Sequence, residues 1–225
     1  MKIWHFSDTH SYHGLLDIPE ADIAIFSGDC SNPRDPYLGS NEVLNFLEWY
    51  DKYVNIPIKI FVAGNHDTAI EKRLIKPSDF SNRNIYYLEN QSIEIEGLKI
   101  WGSPVTPEFG VGWAFNRKRD KINKTWETIP DDTDIIITHG PPKTVMDLSY
   151  DMSGKLEFCG CNALYKRIEK INPKASLFGH IHNNERIVNA GIRRLPHLQT
   201  IFSNGSVVTD GDFGRLSSNG NIIEI

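Results

Sequence analysis

Residues 58–67 read Ile58-Lys59-Ile60-Phe61-Val62-Ala63-Gly64-Asn65-His66-Asp67. The run to Ala63 is rich in β-branched and aromatic side chains with a single charge, which predicts a buried strand. The next four residues are compact, polar and chemically able. Asn65 offers a neutral carbonyl oxygen, His66 changes charge near neutral pH, and Asp67 can orient the imidazole. Gly-Asn is also ordinary turn chemistry, so the other strand ends decide whether this is a site.

The pattern recurs along the chain. Residues 2–7 form a strand-like run ending in Asp8-Thr9-His10, and 23–27 form another ending in Gly28-Asp29-Cys30. Residues 134–138 run into His139-Gly140-Pro141-Pro142, and 175–178 into Gly179-His180-Ile181-His182. Between them, 32–39 reads as a loop rich in Pro, Gly and Asp. A helix is predicted over 41–53, with Val43, Phe46, Leu47, Tyr50 and Val54 on one face and Pro57 barring continuation. A second helix is predicted over 162–171, stopped by Asn172-Pro173. Strands at 91–95 and 98–101, joined by Glu96-Gly97, give a hairpin and hence a mixed sheet. Further short strands are expected at 186–188, 199–203 and 221–225. The stretch 104–130 has no simple periodicity apart from a basic, helical piece at 117–126, and such a segment suits a lid or substrate loop. The class is α/β, a single domain over 1–225, with polar residues gathered at strand carboxyl ends where open α/β sheets bind ligands.

Composition narrows the function. With 40% hydrophobic and 24% charged residues the chain has an ordinary globular make-up, and a formal charge of −5 argues against a surface built for long nucleic acid. No run reaches the roughly 18 apolar residues of a membrane span. Ile3-Trp4-His5-Phe6 is too short for a signal-peptide core, so the cytoplasm is expected. Cys30, Cys159 and Cys161 are odd in number, which speaks against a disulfide framework. Cys159 and Cys161 lack a second thiol pair for metal, and a reduced structural role is expected.

Five strand ends thus carry Asp8 and His10, Asp29, Asn65 with His66 and Asp67, His139, and His180 with His182. On extended chain, residues i and i+2 point the same way, so Asp-x-His and His-x-His could each bring two ligands to one place. Oxygen and nitrogen donors without thiolate suit Mn, Fe, Zn or similar divalent ions. Seven candidates are too many for one tetrahedral ion and suit two ions sharing a bridge. Only two of the seven are anionic, so such a pair keeps positive charge for phosphate oxygens and can acidify a water. The chemistry points to hydrolysis.

The series Asp8-x-His10, Gly28-Asp29, Gly64-Asn65-His66-Asp67, His139 and Gly179-His180-x-His182 resembles the calcineurin-like metallophosphoesterase superfamily. Trp113-Ala114-Phe115-Asn116-Arg117, Thr138-His139-Gly140-Pro141-Pro142, Gly160-Cys161 and Ser203-Asn204-Gly205-Ser206 are similar to its MPPED (metallophosphoesterase-domain-containing) branch. The resemblance implies a four-layer αββα sandwich of two mixed sheets flanked by helices. It implies one ion on Asp8, His10, Asp29 and His182, and a second on Asn65, His139 and His180 with Asp29 bridging; manganese comes first, with iron or zinc as alternatives. His66 would be the acid beside the leaving group, supported by Asp67, and a metal-bridging hydroxide would attack phosphorus in line. Asn116 and Arg117 are the candidate substrate contacts.

Cys30-Ser31-Asn32 after Gly28-Asp29 departs from the protein-phosphatase branch, and no adjacent arginine matches the dinucleoside-tetraphosphatase branch. A small phosphodiester such as a cyclic nucleotide is the expected substrate. The alternatives are a phosphomonoesterase, a nuclease of the same superfamily, or a metal-binding scaffold without turnover. His5, His13 and His197 fall outside every motif and are assigned to structure or surface.

Overall fold

The computed structural model describes residues 1–151, 153–210 and 214–225. In chain order the strands are β1 (Lys2–Phe6), β2 (Ile23–Ser27), β3 (Ile58–Val62), β4 (Ile85–Tyr87), β5 (Gln91–Ile95), β6 (Leu98–Ser103), β7 (Thr106–Pro107) and β8 (Asn116–Arg117). They continue as β9 (Ile135–Thr138), β10 (Leu148–Tyr150), β11 (Leu156–Phe158), β12 (Ala175–Phe178), β13 (Gly191–Arg194), β14 (Ile201–Asn204) and β15 (Asn221–Glu224). The helices are α1 (Pro36–Lys52), α2 (Thr68–Glu71), α3 (Pro77–Ser81), α4 (Asn123–Trp126) and α5 (Asn162–Ile171).

Two large sheets hold the molecule. One runs β15-β1-β2-β3-β4 and the other β13-β14-β12-β9-β6-β5. Each has a parallel centre. The strands β1 to β4 are mutually parallel with β15 antiparallel at one edge. In the second sheet β14, β12, β9 and β6 are parallel, with β13 and β5 antiparallel outside them. Both sheets are mixed, as the Glu96-Gly97 hairpin implied; both turn residues have positive φ, 51° and 75°, which a two-residue hairpin turn demands.

Strand alternation sorts the side chains into layers. Ile3, Ile23, Ile25, Ile60 and Val62 meet Ile100, Ile135, Ile137, Ala175 and Leu177 between the sheets. The alternate residues Trp4, Phe6, Phe26 and Phe61 face outward and pack on Val43, Phe46, Leu47 and Tyr50 of α1. On the far side Trp101, Ile136, Phe178 and Phe202 pack on Leu164 and Ile168 of α5. The result is helix, sheet, sheet, helix. Burying such apolar side chains supplies roughly 1.5–3 kcal/mol each, and two sheets covered on both faces explain why the strands are apolar runs instead of alternating ones.

Several local expectations are corrected. The loop predicted at 32–39 ends early, because Asp35 caps α1 by accepting from the backbone N–H of Tyr37 and Leu38 at 3.0 Å, with Pro36 in the first turn. Helix over 117–126 is confined to α4, since Arg117 is in β8. No strand forms at 186–188, where the Asn184 side chain accepts from the N–H groups of Arg186 and Ile187 and closes a turn; the strand comes later, at β13.

Candidate metal centre

Five parallel strands, β1, β2 and β3 of one sheet and β9 and β12 of the other, deliver the candidate residues from their carboxyl ends. Among the described residues three groups of ligand-capable atoms result, each within 4.8 Å: Asp8, His10 and His182; His10, Asp29 and His66; Asp29, His139 and His180. Asp29 and His10 each belong to two groups. Asn65 joins the last through its Oδ1, 2.8 Å from His139 Nε2. All seven expected ligands are thereby brought together.

The backbone does this by turning sharply, not by running straight. Asp8, His10, Asp29 and His180 have φ of 52°, 41°, 61° and 70°. That left-handed region costs a non-glycine residue on the order of 1 kcal/mol or more, and such residues cluster at functional sites. The expected i, i+2 alternation on extended chain is therefore not how the ligands meet. Asp8 and His10 share a group through a turn, whereas His180 and His182 part into different groups. Gly64 is needed for approach: a Cβ there would collide with the Asp29 carboxylate.

Hydrogen bonds fix which ring nitrogen is free. His139 Nδ1 lies 2.9 Å from the Ser27 carbonyl and His10 Nδ1 3.2 Å from that of Ser31. His182 Nδ1 lies 3.0 Å from Asp210. Each contact suits an Nδ1–H donor, which leaves Nε2 turned toward carboxylate: His139 to Asp29 at 3.2 Å, His182 to Asp8 at 3.2 Å, His10 to Asp29 at 4.0 Å. Outer partners of this kind orient metal-binding imidazoles. Asp8 is itself held by Ser7 Oγ and by the His180 N–H at 2.9 Å. Four imidazoles, two carboxylates and an amide oxygen, buried or half-buried and without a thiolate, fit borderline divalent ions.

The charges are strongly coupled. Burial opposes protonation of His139, yet the Asp29 carboxylate raises its pKa to about 9. His182 is raised to about 10 against burial, by Asp8 and Asp210. Burial pushes Asp8 and Asp29 up, but His182 and His139 respectively hold them well below the usual carboxylate range. His180, desolvated and beside His139, falls to about 3, and burial lowers His10 as well. Without a metal, protons on His139 and His182 balance the two carboxylates; an ion must replace them.

His66 stands half-buried at the lip of a cavity of about 600 Å³ that also opens on His10 and His182. Its Nδ1 is 2.8 Å from the Asn32 carbonyl, and its ring packs 4.6 Å from Trp113. Asp67 does not support it. That carboxylate is fully buried and accepts instead from the backbone N–H of Gly64 at 2.7 Å, Asp29 at 3.0 Å, Cys30 at 3.2 Å and Ser31 at 3.3 Å. Peptide donors outbid an imidazole that already has a carbonyl.

Nor do Asn116 and Arg117 reach the cluster. The Asn116 amide donates to Thr106 Oγ1 at 2.9 Å and the Ala114 carbonyl at 3.1 Å, holding its own loop. Arg117 is exposed and donates to the Asn116 carbonyl. The side chains of that loop that pack on site imidazoles are Phe109, ring centroid 5.0 Å from that of His180, and Trp113 on His66, with Arg34 stacked 3.9 Å over Trp113. The loop is tied to the strand-end turn by the Ala114 N–H on the Asn65 carbonyl at 3.0 Å. Asp210 and Arg34 lacked any motif in the sequence; Trp113 lay inside a recognised one.

The family model for calcineurin-like phosphoesterases matches residues 1–184. The chain belongs to the calcineurin-like phosphoesterase family. Within it, metallophosphoesterase domain-containing protein 1 of Homo sapiens is 30% identical over 227 residues, 90% of this chain and 65% of that protein. The chain thus spans 65% of the length of that relative. A UPF0046 protein of Caenorhabditis elegans is 33% identical, over 82% of this chain and 70% of its own. A solved structure superposes with a TM-score of 0.62 at 14% identity, covering 90% of this chain and 89% of that one, a likeness of fold alone. No helix among the described residues is long and apolar enough to cross a membrane.

Proposed function

We propose that this chain is a dinuclear-metal phosphoesterase acting on small phosphodiesters, cyclic nucleotides among them. The observation that carries the reading is the Asp29 carboxylate, which stands between two groups of histidines beside His66. One ion is assigned to Asp8, His10, Asp29 and His182, the other to Asp29, Asn65, His139 and His180. Manganese is the metal assigned first, with iron or zinc as alternatives; the oxygen and imidazole donors suit all three. Two such ions would supply charge that polarises phosphoryl oxygens and acidifies a water.

The chain's own residues do the rest. The three Nδ1 contacts hold the imidazoles of His10, His139 and His182 in one tautomer. His66, with Nδ1–H donating to the Asn32 carbonyl, would act as the imidazolium, giving its Nε2 proton to the departing ester oxygen and remaining as the neutral Nδ1–H tautomer. Asp67 is assigned a positioning role, fastening the turns that carry Asp29 and Asn65. Residues 1–225 are read as one catalytic domain, with the loop inside 104–130 as its substrate wall. Three free thiols favour a reducing compartment, the cytoplasm.

The test is hydrolysis of bis(p-nitrophenyl) phosphate and p-nitrophenyl phosphate by the Mn²⁺-loaded protein. Turnover of the diester exceeding that of the monoester, and lost in Asp29→Asn, is expected. No turnover with Mn²⁺, Fe²⁺ or Zn²⁺ despite bound metal overturns the reading.

A further inference from the structure

Two of the cavities adjoin the cluster, and among the described residues they share no lining side chain. The first is the one at His66, His10 and His182. The second, about 480 Å³, opens on His180 and Gly140 and is walled by Phe109 and Tyr150. Each of the two outer histidine groups therefore has a cavity of its own. A monoester brings one organic arm to phosphorus and a diester brings two. With His66 placed beside the departing oxygen, the leaving arm belongs in the first cavity and the other arm needs a second exit.

Resting on the phosphodiesterase reading, we propose that the cavity between Phe109 and Tyr150 binds the arm that stays on phosphorus, and that this arm is an uncharged planar ring. The preference for a ring comes from the walls. Phe109 and Tyr150 are 49% and 44% exposed and both line this cavity, and the Phe109 ring centroid lies 5.0 Å from that of His180. Aromatic faces gain most from a planar partner.

The preference for a neutral arm comes from the rim. Glu108, Asp151 and Glu157 line the cavity. Its guanidinium, from Arg119, is already engaged by the carbonyls of Cys159 at 2.8 Å and Gly160 at 3.1 Å. A second phosphate would meet three carboxylates against one guanidinium, part of whose donors are already taken. Pyrophosphate-containing substrates are disfavoured on this account. A cyclic diester, whose two ester oxygens belong to one sugar, would leave this cavity underused; an open diester fills both.

The test uses the Mn²⁺-loaded protein with two probe pairs. Binding of diphenyl phosphate and dimethyl phosphate is measured by calorimetry. The kcat/KM values of p-nitrophenyl phenyl phosphate and p-nitrophenyl methyl phosphate are measured in parallel. Wild type is expected to favour the phenyl arm about tenfold in both, as one stacked ring allows. Tyr150→Ala and Phe109→Ala should each erode that ratio while metal content stays at the wild-type value; both side chains are half-exposed, so folding is not at stake. Equal affinities in wild type, or a preference that survives both substitutions, overturns the proposal. A preference in binding without any turnover supports this subsite and overturns the hydrolytic reading alone. Binding of neither diester overturns both.

Discussion

The Asp67 carboxylate holds the backbone N–H of Asp29 at 3.0 Å across 38 residues of chain, and the same Oδ2 takes the N–H of Gly64 at 2.7 Å. One buried side chain thus locks the turn after β2 to the turn after β3. Its other oxygen takes Cys30 and Ser31. Asp67→Ala would strand several buried donors, each costing about 1–3 kcal/mol when left unpaired. The expected outcome is a loss of roughly 3 kcal/mol or more in denaturant unfolding, together with weaker metal binding. In the milder Asp67→Asn the alkaline limb of the rate profile, the limb a general acid governs, should not move, because Asp67 does not touch the His66 ring. A shifted limb would show that Asp67 does govern His66.

Asp29 is the carboxylate shared between the two histidine groups. Asp29→Asn removes the charge while keeping the shape. Metal analysis is expected to show loss from both positions, and the rise in melting temperature produced by added Mn²⁺ should disappear, since ligand that no longer binds the folded state cannot stabilise it. Full metal content in Asp29→Asn would remove Asp29 from the bridge.

His66 is separable from the metal positions by the same logic. His66→Ala should keep wild-type metal content while kcat on a diester falls about 10²–10⁴-fold, the usual worth of a positioned acid. The deficit should shrink as the leaving group becomes more acidic, because a good leaving group needs no proton. A deficit independent of leaving group would mean that His66 acts on metal or substrate binding instead.

The strands and the cluster were legible in the sequence because the physics there is local. Apolar runs such as residues 58–63 can only be buried, and each ends in a residue whose chemistry is out of place in a core. The helix at 162–171 was legible down to its ends, with Asn172 taking φ 51° at its C-cap. What the chain did not disclose depends on contacts between distant segments. Asp67 looked like the partner of its neighbour His66, yet four backbone N–H groups folded around it from 36 to 38 residues away and from Gly64. Asn116 and Arg117 carried a motif, but loop closure turned them inward or outward and presented Phe109 and Trp113 to the site. Asp210 reaches His182 because Thr209 pairs with Asn183 and the Asp210 N–H donates to the Asn183 carbonyl at 2.8 Å.

His5, which had no motif, gives the last expectation. It lies fully buried between the sheets, Nδ1 2.7 Å from Ser203 Oγ in one and Nε2 2.9 Å from Ser27 Oγ in the other. Burial, outweighing the attraction of Asp8, lowers its pKa to about 3. In the unfolded chain the same ring titrates near 6.5. Between those values the unfolded state binds a proton that the folded state refuses, so stability is present above pH 6.5 and is lost as pH falls through that window. The slope attributable to His5 reaches about 1.4 kcal/mol per pH unit. His10 and His180, also lowered, add slope of the same sign, whereas His139 and His182 stay protonated in both states there and add none. Subtracting the unfolding free energies of His5→Gln from those of wild type at pH 4, 5 and 6 isolates one residue. The expected difference narrows as the pH falls, because wild type alone must refuse the proton at position 5. Parallel curves would mean that the histidine between the sheets titrates as freely folded as unfolded.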